Sequence, residues 1–205
     1  MPTARREEII EAAVEVFAER GYRGASFDAV AERAGLTRQG VLHYFPSKKK
    51  LLMAVLRFRE ELSREYLAAD HADEDFPTQL AEVMAFDHKN PALAKVHSVL
   101  MAEGSVVGDP AREDIQAYCL ELREHTVERL TERYGELLPS GLTPQAAATA
   151  VLMMIDGMQQ QWLLYQDQTD YPGMMRDVLA VLLGTAAATT TTTAANAATA
   201  TTMSA

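Results

Sequence analysis

Apolar side chains recur at helical spacing along almost the whole chain. The first segment shows this clearly, because its apolar positions are Ile9, Ile10, Ala13, Val16 and Phe17. Gly21 follows at a place that suits the end of a helix. No window of the sequence shows the sustained alternation of apolar and polar residues that a half-buried strand needs. The pattern therefore predicts an all-α fold.

Three short helices are predicted before residue 46. Ser26 and Thr37 are placed to cap the second and third of them, and Gly35 stands in the turn between the two. Pro46 ends the third helix, because the residue before a proline disfavours the helical region. Ser47 then caps a long fourth helix that reaches to about residue 69.

Beyond a polar linker at residues 70–76, the same spacing predicts five further helices. Their expected ranges are 78–88, 91–104, 111–134, 144–166 and 172–183. From 185 to 205 the composition collapses to Ala and Thr with one Asn, one Met and one Ser. We expect this tail to be disordered, since it carries no charge and almost no large apolar side chain.

The overall composition is that of an ordinary soluble globular protein, with 48% apolar and 23% charged residues. No apolar run approaches the roughly 18 residues of a membrane span, and the N-terminus lacks the apolar core of a signal peptide. We therefore expect a cytoplasmic protein without a membrane partner. Cys119 is the single cysteine, which excludes an intrachain disulfide and a zinc finger, and we expect it to be a small buried hydrophobe.

Recognisable catalytic motifs are missing from the sequence. It contains no Gly-rich phosphate loop, no nucleophile elbow and no zinc-protease motif, so we expect neither an enzyme nor a bound cofactor. His88 and His97 are nine residues apart on either side of a proline, which is not a ligand spacing on one helix. No metal site is expected.

Charge is distributed unevenly along the chain. Residues 1–60 hold 11 Lys or Arg and 8 Asp or Glu, whereas residues 61–205 hold 8 and 21. Between Arg33 and Arg59 there is no acidic residue, although five basic residues lie inside. A basic segment on an otherwise acidic protein indicates contact with a polyanion at one end of the molecule.

Two short helices joined by a glycine-containing turn have the layout of a helix-turn-helix. The third helix of such a unit enters the major groove, and its first residues here are Thr37, Arg38, Gln39 and Gly40. Arg suits guanine, Gln suits adenine, and Gly40 leaves room for the backbone to approach. His43 lies one turn beyond Gln39. A glycine turn alone is common in all-α proteins, and the acid-free basic stretch is what favours DNA binding over an all-α ligand carrier or enzyme.

Three lysines, Lys48, Lys49 and Lys50, open the fourth helix. Each cation at this positive end of the helix dipole costs roughly 0.3–1 kcal/mol. A bound phosphate would reverse that cost, because the first-turn N–H groups and the lysine charges together form an anion site.

Residues 5–56, which include "SFDAVAERAGLTRQGVLHYFPSKKKLL", resemble the DNA-binding domain of TetR/AcrR-type transcriptional regulators. The resemblance implies an N-terminal three-helix helix-turn-helix domain and a C-terminal helical domain for ligand binding and dimerisation, with release of a repressor from DNA by the ligand. It adds Tyr44 to the candidate DNA contacts and makes Ser26 and Lys48 phosphate contacts. Leu42 departs from the family, in which a tyrosine often stands at that position and touches phosphate.

The helix predicted at 144–166 is apolar on two sides, so we expect one side to face a partner subunit. Gly157 in mid-helix costs up to about 1 kcal/mol relative to Ala, and close approach of another helix would explain it. In the resembled family the last two helices form a four-helix dimer contact. The expected interface residues are Met153, Gly157, Leu164, Met175, Val178 and Leu182, with an ordinary monomer core as the alternative.

A ligand pocket is expected among residues that combine apolar and polar character. The candidates are Met84, His88, His97, Met101, Tyr118, Met158 and Trp162, with plain core packing as the alternative for each. The sequence thus predicts a helix-turn-helix domain at 1–47, a ligand-sensing and dimerisation domain at 48–184, and a tail at 185–205. The expected partners are double-stranded DNA as a palindromic operator, a small-molecule effector and a second copy of the chain.

Overall fold

The computed structural model describes residues 2–165 and 169–185. Within these residues the chain forms nine α-helices and no strand, which confirms the predicted all-α fold. The helices are α1 (Pro2–Gly24), α2 (Phe27–Arg33), α3 (Arg38–Tyr44), α4 (Lys48–Asp70), α5 (Phe76–Lys89), α6 (Pro91–Ser105), α7 (Arg112–Tyr134), α8 (Pro144–Tyr165) and α9 (Tyr171–Leu183). The expected disordered tail lies outside the described residues from position 186 onward.

The three predicted N-caps at the N-terminal end of the molecule are confirmed. The side chain of Ser26 accepts a hydrogen bond from the Ala29 N–H at 3.2 Å. Thr37 does the same for α3 and Ser47 for α4, and each satisfies an otherwise orphaned backbone donor. The turn between α2 and α3 depends on Gly35, whose φ of +64° few other residues adopt.

One hydrophobic cluster runs from the N-terminal helices into the rest of the chain. All five apolar residues of the first predicted stripe are buried in it, and it continues through Leu52 and Val55 of α4 to Leu100 of α6 and Ile115 of α7. Two smaller clusters lie among α5, α7, α8 and α9. The predicted division between residues 47 and 48 therefore crosses a continuous packed core, and the domain boundary stays a prediction.

None of the helices in the described part of the chain is long and apolar enough to cross a membrane.

Candidate functional site

The short helix α3 has one face in the core and one in solvent. Val41 is fully buried and fixes the inner face. Thr37, Arg38, Gln39 and His43 are exposed on the outer face. The fold therefore places the predicted base-reading side chains together on one accessible surface, which we call the α3 face.

Gly40 adds open space to the α3 face. A Cβ atom built on Gly40 would lie 3.4 Å from Thr37 Oγ1 and 3.8 Å from Leu36 Cβ, which are ordinary contacts. Neither packing within the chain nor backbone conformation requires glycine here, in contrast to Gly35. The missing side chain therefore favours an explanation outside the chain, such as close approach by a partner.

Arg38 is held by an acidic neighbour on α2. Its Nη1 lies 2.9 Å from Asp28 Oδ2, and both side chains are well exposed. Exposed ion pairs of this kind contribute about 0–1 kcal/mol, so a guanine edge could replace Asp28 at small cost.

The three lysines at the start of α4 have different surroundings. Lys48 Nζ lies 4.6 Å from the centre of the Tyr22 ring and donates to the Arg23 carbonyl at 3.3 Å, and burial lowers its pKa. Lys49 Nζ lies 2.7 Å from Asp114 Oδ1 of α7, and this hydrogen bond raises its pKa. Lys50 is exposed and has no ion pair within the described residues. Lys50 is therefore the least engaged of the three cations, whereas Lys48, the expected phosphate contact, already interacts with Tyr22 and the Arg23 carbonyl.

The other two candidates from the helix-turn-helix differ in exposure. Ser26 is exposed, and although its oxygen caps α2, its hydroxyl hydrogen is free to point to a phosphate. Tyr44 is half-buried against the main core, and its ring meets His43 edge-on at 5.3 Å. Tyr44 therefore has a packing role as well as an accessible edge.

A basic groove that the sequence reasoning missed extends the charged surface. Arg6 of α1 lies over the Phe45 ring at 5.2 Å from its centre and shares an open depression with Lys49, Lys50 and Arg57. Arg6 is distant from these other cations along the chain, so only the packing of α1 against α4 brings them together.

The N-terminal helices are tied to the rest of the chain at the end of α1. The Glu103 carboxylate of α6 accepts from the Tyr22 N–H and, at 3.3 Å, from the Arg23 N–H. Arg23 Nε lies 2.9 Å from Asp109 Oδ2. Gly21 permits this arrangement, because it has a φ of +68° and a Cβ atom there would lie 2.5 Å from Glu103 Oε1. We call this set of contacts the α1–α6 junction.

An interior cavity of about 130 Å³ lies among α4, α5, α6, α7 and α8. Its apolar wall includes Leu80, Val83, Leu122, Val151, Leu152 and Ile155. Its polar side includes Arg59, His97, Tyr118 and Asp156. A mostly apolar wall with a few polar groups is the usual composition of a small-molecule site.

Buried charges and hydrogen bonds organise the polar side of the cavity. Arg59 Nη2 lies 2.9 and 2.8 Å from the two carboxylate oxygens of Asp87. Burial is the largest single influence and lowers the pKa of Arg59, but the attraction and hydrogen bond of Asp87, together with the electrostatic influence of Tyr118 and Asp156, raise that pKa above its ordinary value. His97 Nε2 lies 3.2 Å from Asp156 Oδ1. Burial and the Arg59 charge lower the pKa of His97 in spite of Asp156, so its imidazole is neutral at pH 7. Burial raises the pKa of Tyr118 to about 12.

Comparison with known proteins supports the resemblance noted in the sequence. The family model for bacterial regulatory proteins of the tetR family matches residues 9–55. The transcriptional regulator RutR of Escherichia coli is 40% identical over 55 residues, which are 27% of this chain and 26% of RutR. TtgR of Pseudomonas putida, also a transcriptional regulator, is 27% identical over 179 residues, 82% of this chain and 84% of TtgR.

A solved structure of a TetR-family member from Streptomyces coelicolor covers 87% of this chain and 98% of its own, with a TM-score of 0.67 and 25% identity. Residues 9–55 thus match the N-terminal region of the tetR family, and the chain shares the fold of this TetR-family structure; together these matches support a TetR-type regulator. The match of this chain to RutR spans only about a quarter of that protein's length.

The cavity contains only some of the predicted ligand residues. His97 and Tyr118 line it, whereas Met101 lies beside Cys119 in a separate surface depression. The others, Met84, His88, Met158 and Trp162, pack between α5, α8 and α9, where the His88 and Trp162 rings stack at 4.4 Å. Cys119 is only half-buried, not fully buried as expected.

Arg59 and Asp156 line the cavity although neither was predicted as a ligand residue. A signal for Arg59 existed, since it continues the apolar stripe of Leu52, Val55 and Leu56 on α4. An arginine on a buried stripe needs a buried partner, and Asp87 on α5 provides it.

The predicted dimer residues divide into exposed and buried positions. Met153 and Leu164 are 69% and 63% exposed on α8, and Val178 is exposed on α9. Gly157 is exposed too, and a Cβ atom there would meet no atom of residues 2–165 or 169–185 within 4 Å. Met175 is 0% exposed, so its prediction as an interface residue is corrected: the inner face of α9 turns it into the core. Leu182 is half-buried against the same cluster.

A group of three potential metal ligands lies at the start of α5, although no metal site was expected. His71 Nδ1 lies 3.1 Å from Glu74, and its Nε2 lies 3.5 Å from Glu82. Glu82 also accepts from the Tyr66 hydroxyl at 3.0 Å. The spacing of His88 and His97, on which that expectation rested, carries no information about His71, Glu74 and Glu82.

Proposed function

We propose that this chain is a TetR-type, ligand-responsive DNA-binding transcriptional regulator, a repressor that binds a palindromic operator as a homodimer. The observation that carries this proposal is the α3 face, where Arg38, Gln39 and His43 lie exposed on the third helix of a helix-turn-helix. Arg and Gln form paired hydrogen bonds with guanine and adenine in the major groove.

Basic groups around the α3 face supply contacts that do not depend on base sequence. Lys50, Arg57 and Arg6 lie beside it in the basic groove, and the hydroxyl of Ser26 lies at the start of α2. Such groups neutralise phosphates and set the position of the protein on the duplex. The acidic remainder of the chain restricts DNA to this end.

A homodimer is supported by apolar side chains that α8 and α9 leave in solvent. Met153, Leu164, Met174, Val178 and Val181 are all at least 46% exposed. An extended apolar surface of this kind usually marks an interface in a folded protein. A two-fold dimer built on it would place two α3 helices about 34–36 Å apart, the spacing of successive major-groove faces of a palindrome.

Release by a small molecule is supported by the position of α6. His97 of this helix lines the cavity, and six residues later Glu103 holds the end of α1 at the α1–α6 junction. A ligand that moves α6 would therefore move the helix-turn-helix unit at 1–47 relative to the 48–184 unit. A coupling free energy of about 1–3 kcal/mol would weaken operator binding 5–150-fold.

The experiment that tests this function selects fragments of the source genome on the immobilised chain and measures their affinity by gel shift across a salt series. We expect selected fragments to share a palindrome and to lose affinity steeply as salt rises. Absence of DNA binding at low salt would contradict the proposal and favour an all-α small-molecule-binding protein or enzyme.

A further inference from the structure

The polar side of the cavity specifies the chemical class of its ligand. We propose that the cavity binds a compact, uncharged hydroxyl compound, an alcohol or a phenol, whose hydroxyl group is recognised by Arg59, Tyr118 and His97. This inference rests on the proposed function, because it identifies the effector class that the regulator would sense.

Three buried polar atoms on this side have no hydrogen-bond partner within the described part of the chain. They are Arg59 Nε, His97 Nδ1 and the Tyr118 hydroxyl. Arg59, His97 and Tyr118 are 7%, 4% and 2% exposed, so bulk water does not serve them. Buried polar groups without partners are rare in native proteins, and beside a cavity they are met by water or by a ligand.

The three side chains lie on the same polar side of the cavity. The rings of His97 and Tyr118 are 6.4 Å apart between centres. The charge of Arg59 acts on both neighbours, since it lowers the pKa of His97 and opposes the rise in the pKa of Tyr118. All three side chains line the same cavity.

Donor and acceptor roles select a hydroxyl group. A carboxylate accepts hydrogen bonds, so His97 Nε2 carries the proton shared with Asp156, and Nδ1 of the neutral ring is an acceptor. Arg59 Nε only donates, and the protonated Tyr118 hydroxyl donates as well. One ligand hydroxyl accepts from Arg59 and Tyr118 and donates to His97. A ketone or carboxylate ligand has no proton for His97 Nδ1, and an ammonium ligand has no lone pair for Arg59.

The charges around the cavity favour an uncharged ligand. Arg59, Arg64 and Arg129 line it with Glu60 and Asp156, and Asp87 neutralises Arg59 from behind. The lining therefore holds three guanidinium groups and two carboxylates, and Asp87 outside the lining balances the third positive charge. The cavity volume of about 130 Å³ is close to that of a cavity of about 150 Å³ that accommodates benzene. One ring or a short branched chain therefore fits against the apolar wall.

Calorimetric titration of the full chain with 4-methylphenol, toluene and benzoate tests this class. Toluene has nearly the same shape without the hydroxyl, and benzoate replaces the hydroxyl with a charge. We expect 4-methylphenol to bind at least tenfold more tightly than either, because only its hydroxyl satisfies all three groups. Equal binding of toluene, preference for benzoate or no binding of 4-methylphenol would overturn the proposal.

The variant Tyr118→Phe removes one donor and keeps the ring. We expect it to weaken 4-methylphenol binding about 3–10-fold and to leave toluene binding unchanged. Tyr171→Phe is the matched control, since Tyr171 is buried outside the cavity. An unchanged affinity for 4-methylphenol in Tyr118→Phe would contradict the assignment. Should that variant fail to fold, the three-ligand comparison on the unaltered chain still decides.

Operator binding is measured on the same preparation without ligand. Tight, salt-dependent DNA binding together with no preference for 4-methylphenol overturns the ligand class and leaves the DNA-binding function standing. The converse result, 4-methylphenol binding without DNA binding, removes the regulator function alone.

Discussion

The α3 face and the cavity hold their polar side chains in opposite ways. Arg38, Gln39 and His43 lie in solvent, and the ion pair between Arg38 and Asp28 is exposed. Arg59, His97 and Tyr118 are buried, and each keeps a polar atom without a partner in the described chain. Water satisfies the first set until a partner arrives, whereas the second set depends on the shape of the fold around it.

This difference predicts different consequences of substitution. Changes on the α3 face should alter binding and leave stability nearly untouched, because exposed groups lose little on folding. Changes beside the cavity should alter stability first, because a buried charge or a tight helix contact has no alternative solvation.

The largest expected effect comes from the buried Arg59–Asp87 pair. Asp87→Asn leaves the Arg59 guanidinium buried without its counter-charge, and we expect the free energy of unfolding to fall by about 3–5 kcal/mol. Urea denaturation followed by circular dichroism measures this. Asp28→Asn is the matched control at the exposed Arg38 pair, and it should cost no more than about 1 kcal/mol. Equal losses of unfolding free energy in Asp87→Asn and Asp28→Asn would contradict the proposed difference between the cavity and the α3 face.

Two mid-helix glycines, Gly104 of α6 and Gly157 of α8, have different surroundings. A Cβ atom on Gly104 of α6 would lie 2.7 Å from Ile115 Cγ2 of α7. We expect Gly104→Ala to destabilise the chain by about 1–3 kcal/mol, because the two packed helices must separate. Thermal unfolding measures the change. The same separation would displace α6, the helix that connects the cavity with the α1–α6 junction.

Gly157→Ala should stabilise the monomer, whereas Gly104→Ala should destabilise it. The Cβ atom added at Gly157 would contact none of the described residues, and Ala is preferred to Gly in a helix by up to about 1 kcal/mol. If a partner helix approaches Gly157, sedimentation equilibrium of this variant will show a weaker dimer. A dimer of unchanged strength would place the interface elsewhere.

A smaller effect separates the lysines of α4. Lys50→Gln should weaken binding to all DNA sequences alike and reduce the slope of log affinity against log salt by about 0.9. Lys49→Gln should change the slope less, because Lys49 is already paired with Asp114. Fluorescence anisotropy of a labelled duplex at several salt concentrations distinguishes them. A larger change for Lys49 than for Lys50 would reverse the assignment.

The smallest expected effect is a pH dependence of stability that the cavity contributes. Burial, then the Arg59 charge, lower the pKa of His97 in the folded chain below its unfolded value of about 6.5. The neutral ring therefore stabilises the fold fully above that pH, and the contribution is lost as pH falls below it, with a slope of at most about 1.4 kcal/mol per pH unit. His88, whose pKa burial also lowers, acts in the same direction. Urea midpoints measured between pH 5 and 8 should vary less in His97→Gln than in the unaltered chain. An identical pH dependence in the two proteins would exclude His97 as a source of this effect.

Helix positions and caps were predictable because their causes are local. Ser26, Thr37 and Ser47 each cap a helix through a backbone N–H three residues away. The exposed α3 face followed from those caps and from Val41 on the opposite side of the same short helix. Local spacing is sufficient for this kind of inference.

The cavity was less predictable because distant helices build it. Arg59 and Asp87 are 28 residues apart, and His97 and Asp156 are 59 apart, so no spacing rule connects them. Met175 was misplaced for a related reason: α9 is apolar on more than one side, and only its packing against α5 decides which side is inside. Tertiary contacts outweigh periodicity at such positions.

One titration tests directly whether the α3 face reads DNA sequence. Anisotropy with a selected operator and a scrambled duplex is compared for the unaltered chain, Arg38→Ala and Gln39→Ala. Loss of a paired base contact of about 1–3 kcal/mol should reduce the preference for operator by roughly 5–150-fold, with binding to the scrambled duplex retained. An operator preference that is unchanged in both variants would contradict the account.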